Sequence, residues 1–168
     1  MKELKESGII LTYEGADEAK FVDPNGLGVR FVEAPASGMC DTKETSTSKC
    51  GRFYEASIEA ESIDASIAFW SALGFGITYR EPPTARWATL SDGNIRLGIY
   101  EKGTCPHRFK NPSFTYFEPD MAERIARLKS EGFEFVEEMR NAEGVVDNAI
   151  AEAPDGQYFF LFFYDGAM

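Results

Sequence analysis

Histidine, cysteine, basic charge and long apolar runs are the scarce things in this sequence. It has one histidine, His107, and three cysteines, Cys40, Cys50 and Cys105. An odd number at irregular spacing fits neither the disulfide framework of a small secreted domain nor a paired zinc knuckle, so the three are read as free thiols. A Cys40–Cys50 bridge under oxidising conditions is the alternative. Lys and Arg total 17 against 28 Asp and Glu, giving a net charge of -11. That excess disfavours nucleic acid or an anionic membrane as a partner, because both carry negative charge of their own. No apolar run reaches the ~20 residues that span a bilayer. The start MKELKESG lacks the apolar stretch of a secretory signal, and the expected location is the cytoplasm.

What is present is a well-marked alternation of strand and helix patterns. The 168 residues suit one domain with an appendage. In Phe53 to Phe75, FYEASIEAESIDASIAFWSALGF, Phe53, Glu55, Ser57 and Glu59 alternate with Tyr54, Ala56, Ile58 and Ala60, the period of a strand. From Ser62 the period changes to that of a helix: Ile63, Ile67, Trp70 and Leu73 form a stripe, Ser66 is the one polar residue on it, and Gly74 stops it. The Tyr54/Ala56/Ile58 side is expected to meet the helix, leaving the Glu55/Ser57/Glu59 side to water or a ligand.

The strands GITYRE, ARWATL and NIRLGIYE follow, separated by Pro82-Pro83 and the turn SDGN. After a loop from Lys102 to Pro112 the order recurs: strand SFTYFE, helix MAERIARLKSEG with the stripe Met121, Ile125 and Leu128, then strands FEFVEEM, VVDNAIAE and YFFLFFY. Residues 1–33 resemble the latter part of the same unit, since LKESGIILTYE parallels LKSEGFEFVEE and DPNGLGVRFVE parallels APDGQYFFLFF. The predicted organisation is an incomplete module at 1–33, a linker at 34–51, and a domain at 52–168 made of two βαβββ modules, 52–103 and 112–165. An incomplete module has an apolar face to cover, so the first segment is expected to dock on the domain or on another chain.

The twice-repeated order, the segment SIDASIAFWSALGF and the late turn PDG together resemble the vicinal oxygen chelate superfamily of glyoxalases, bleomycin resistance proteins and extradiol dioxygenases. The resemblance implies an α+β fold in which paired βαβββ modules form a cupped mixed sheet with helices outside, the ligand and any metal lying in the cup. It also implies association as a homodimer. In metal-dependent members the ligands are His, Gln or Glu on the first and last strands of each module. The matching positions here are Glu55, Ser113, Phe160 and either Arg96 or Leu97, and one donor among four does not make a divalent-metal site. His107 in TCPHRF reads as a loop residue. No metal or other cofactor is therefore expected.

The cup lining that remains is Phe53, Glu55, Ser57 and Glu59 from one strand, Ser113, Thr115 and Phe117 from its counterpart, and Phe160 and Phe162 from the last. One residue of register decides between Arg86 and Trp87 and between Arg96 and Leu97, with Trp87 and Arg96 taken as lining. The expected function is metal-free binding of a small aromatic or cationic molecule, aided by cation-π attraction. Two alternatives stay open. One is a lyase, isomerase or dioxygenase-type enzyme, with or without a divalent metal, for which Glu55 is the candidate catalytic acid or base. The other is a non-catalytic interaction module.

Overall fold

The computed structural model describes residues 4, 6, 8–33, 48–81 and 86–164. Most of the predicted linker with Cys40, and the Pro82-Pro83 break, lie outside them. The chain forms two compact units, one of Met1–Lys43 with Glu59–His107, the other of Glu44–Ile58 with Arg108–Met168.

In the first unit, strands β1 (Leu11–Glu14), β2 (Glu18–Val22) and β3 (Gly28–Val32) form an antiparallel sheet. The unit also holds the end of β4 (Arg52–Ala60), helix α1 (Ile63–Ala72), and the antiparallel meander β5 (Gly76–Arg80), β6 (Trp87–Ser91) and β7 (Arg96–Glu101). The α1 boundaries follow from chemistry at its ends. Ser62 Oγ accepts from Ala65 N–H at 3.3 Å, and Gly74, at φ 92°, turns the chain so that Phe75 N–H reaches Trp70 O at 3.1 Å. Ser66, Ile67 and Trp70 are its buried face. The three-stranded sheet packs against this helix: Phe21 lies 5.9 Å from Phe69, and Asn25 Nδ2 donates to Ser66 Oγ at 2.8 Å. Ser66, polar on an apolar stripe, thus has a partner 41 positions away.

The second unit contains the rest of β4, then β8 (Ser113–Glu118), α2 (Met121–Ser130), β9 (Glu137–Arg140), β10 (Val146–Glu152) and β11 (Tyr158–Phe163). The strand order is β4-β8-β11-β10-β9, with β8 and β11 parallel and the other pairs antiparallel. Met121, Ile125 and Leu128, the predicted stripe, bury against Ala149 and Leu161, with Tyr116 and Phe159 packed alongside. Burying three such side chains stabilises by roughly 1.5–3 kcal/mol each.

The elements make an α+β fold with two βαβββ runs and a mixed sheet. Two details depart from the sequence reading. FEFVEEM is strand only from Glu137: Phe133 N–H returns to Leu128 O past Gly132, and the rings of Phe133 and Phe135 pack together at 5.4 Å beside the helix. The second departure, in β4, bears on the site.

Candidate functional site

The register of the second unit sets which side chains share a face, because directly paired residues project to the same side. Glu137 pairs with Ile150, Ile150 with Phe160, Phe160 with Thr115, and Thr115 with Glu55. One row therefore crosses five strands, with a carboxylate at each end and an aromatic ring and a hydroxyl between. Ala149, Leu161, Tyr116 and Phe159 alternate with it and face α2.

Around that row the predicted residues Ser57, Ser113, Phe117 and Phe162 fall on the same side. Ser57 Oγ donates to Glu55 Oε1 at 3.2 Å and lies 2.7 Å from Thr115 Oγ1. Ser113 Oγ donates to Lys110 O at 2.7 Å. Phe160 and Phe162 stack at 5.4 Å, with Phe117 6.3 Å from Phe162. This polar face was expected to be left to water or a ligand, yet it is closed over: Glu55, Ser57 and Ser113 are 0% exposed, Thr115 1% and Phe160 3%. A carboxylate so placed is costly unless it is hydrogen-bonded, and the Ser57 hydroxyl supplies one such bond.

Phe53 does not share this face. A register shift between Phe53 and Glu55 sets Phe53 opposite Tyr116, and its ring meets Phe114 and Tyr116 on the other side of the sheet. Tyr54, predicted to face the helix, instead packs 4.8 Å from Phe117. Sequence alternation missed Tyr54 for that reason. Across the sheet, burial raises the pKa of Tyr116, aided by the nearby Cys50, and burial likewise raises that of Cys50 itself.

In the first unit the open register question resolves. Trp87 pairs with Tyr100, Thr89 with Gly98, and Ser91 with Arg96, so Trp87 and Arg96 share a side, opposite to buried Ala88, Leu90, Leu97 and Ile99. Tyr79, Trp87 and Tyr100 form a ladder of rings, Trp87 stacking on Tyr100 at 5.6 Å. Arg86 pairs with Glu101 at 3.3 Å. Glu59 Oε1 accepts from Gly103 N–H at 3.0 Å, a bond that shapes the turn after β7. His107, Cys50 and Cys105 are half-buried, and Cys50 is a free thiol.

No family model and no curated protein sequence matches the chain. Solved structures do. A halotolerant catechol dioxygenase superimposes with a TM-score of 0.52 at 12% identity, over 97% of this chain and 61% of its own. A catechol 2,3-dioxygenase gives 0.51 at 11%, over 97% and 63%. The chain has the fold of the glyoxalase, bleomycin resistance and dioxygenase superfamily. A hypothetical protein from Bacillus halodurans C-125 also superimposes, with a TM-score of 0.51 at 16% identity over 70% of this chain and 96% of its own. The chain spans less than two thirds of the length of the two dioxygenases, and the likeness to all three is one of fold.

A metal centre, common in this superfamily, needs several converging donors. Among the described residues no three His, Cys, Asp or Glu side chains form such a group. Ser57 Oγ bonds Glu55 and lies against Thr115 Oγ1, and Phe160 occupies the last-strand position. No helix among the described residues is long and apolar enough to cross a membrane.

Proposed function

We propose that the chain binds a small aromatic or cationic molecule, without a metal, on the Glu55–Thr115–Phe160 side of the second unit. The observation that carries this reading is the buried hydroxyl network holding the Glu55 carboxylate beside the stacked rings of Phe160 and Phe162. An apolar surface with a few fixed polar groups is the common form of a small-molecule site, and an anionic group among aromatic faces suits a cation. The Trp87–Tyr100 stack, with Arg96 on its side of the meander, offers the first unit a similar aromatic surface. The same reading carries cytoplasmic location and pairing of two copies as parts of the proposal.

A thermal-shift screen of small aromatic and cationic compounds tests it. The expected result is a raised melting temperature with members of that class, lost in Glu55→Gln. A response retained in full by Glu55→Gln would move the ligand elsewhere, and a flat screen would count against binding.

A further inference from the structure

Residues Arg108 to Asn111 lie along the same side of the second unit as a short strap. The Phe109 ring meets Phe160 edge-on at 5.5 Å and 70°. Arg108 N–H points to Glu137 Oε2 at 3.4 Å, at one end of the carboxylate-bounded row. Lys110 engages Ser113 through its backbone, its carbonyl accepting from Ser113 Oγ at 2.7 Å and its N–H pointing to the same oxygen at 3.3 Å. The Lys110 ammonium reaches the β10–β11 turn so closely that a Cβ on Gly156 would lie 2.5 Å from Nζ and 3.4 Å from Glu152 Oε1. Gly156, at φ 81°, has no Cβ and leaves that room.

We propose that this strap is a displaceable stand-in for the ligand, and that the ligand is an organic cation bearing an aromatic ring. The inference rests on the reading of this side as a binding surface. The strap is itself an aromatic ring between two cations, in a chain poor in cations. It sets the ring on Phe160, where a ligand ring gains an edge-to-face contact. Glu137 meets Arg108 N–H, Glu152 lies near Lys110, and Glu55 closes the far end of the row, two strands from Phe160, an arrangement that repels an anion and attracts a cation. Its hold is light. Arg108, Lys110 and Asn111 are exposed, and Phe109 is only half-buried. A ligand of the same chemistry exchanges one ring on Phe160 for another and leaves the buried Ser57–Thr115 network in place.

The test is titration of the full chain with benzyltrimethylammonium, followed by calorimetry, against phenylacetate as the matched aromatic anion. Wild type is expected to bind the cation and not the anion. Phe109→Ala is expected to bind the cation about tenfold more tightly, because the competing closed state no longer reduces the binding-competent fraction. Should Phe109→Ala fold poorly, Phe109→Leu keeps apolar bulk without the ring and carries the same expected direction. Equal cation affinity in wild type and strap variants would overturn the strap as competitor and leave the binding surface standing. Phenylacetate binding as well as the cation would overturn the ligand class. Binding of neither compound by any variant would remove this inference together with the surface it rests on.

Discussion

Gly51 shows how tightly single residues are constrained beside the site. Its φ is 104°, a conformation natural to glycine, and a Cβ there would lie 2.5 Å from Glu118 Cγ. Glu118 is not free to withdraw without loss, since its Oε1 accepts from Arg52 N–H at 2.8 Å at the start of β4. Gly51→Ala is therefore expected to combine left-handed strain of about 1–2 kcal/mol with the loss of that bond. Gly144 has φ 81° and open space around it, so Gly144→Ala isolates the backbone part. Urea unfolding should show Gly51→Ala as the more destabilised of the two, and equal losses would mean that the Glu118 contact yields at no cost. At this scale the sheet face was largely legible. Strict alternation placed Glu55, Ser57, Ser113, Thr115, Phe117, Phe160 and Phe162 on one face, and the strand pairing sets them on one side of the sheet. It failed at Phe53 and Tyr54 because a bulge inserts a residue without any local mark in composition, exchanging the faces on one side of it.

Among elements, the helices were the plainest to read, since a 3.6-residue stripe ended by glycine has few rival interpretations. The start of β9 was not, because Phe133 and Phe135 fit a strand equally well and only the packing of their rings shows them outside one. What sequence could not show was the partner of Ser66. Its burial on α1 makes sense through Asn25, whose side chain is itself oriented by Asp23: Asn25 Nδ2 donates to Asp23 Oδ2 at 3.0 Å, and Asp23 Oδ1 accepts from the Asn25 and Leu27 amides at 2.8 Å each. This turn is a polar clamp between the three-stranded sheet and the helix. Ser66→Ala should cost about 1 kcal/mol, and a double-mutant cycle with Asn25→Ala should return a coupling of similar size. Hydrogen exchange of the β2 amides should quicken in either variant while those of β10 stay as they were. A vanishing coupling would show that Phe21 and Phe69 hold the sheet by themselves.

For the whole chain, the repeated βαβββ order was legible because periodicity survives where sequence identity does not, and solved structures at 11–16% identity carry the same fold. Charge is the other property that belongs to this scale. The excess of acids, -11 in net charge, acts on every carboxylate, whereas the ion pairs are short and mostly exposed, such as Lys49–Glu131 at 2.5 Å and Arg80–Asp64 at 2.6 Å. Exposed pairs contribute ~0–1 kcal/mol each. Raising salt from 0.01 to 0.1 M shortens the screening length from about 30 to about 10 Å, well above the contact distance of such pairs but within the spacing of unpaired like charges. Added salt thus removes more repulsion than attraction, and self-repulsion weakens the compact state. The thermal midpoint should rise over that range, by roughly 2–4 °C for each kcal/mol of repulsion relieved in a chain of this size. Calorimetry at several sodium chloride concentrations reads the effect, and a midpoint that falls would mean that the ion pairs outweigh the net charge.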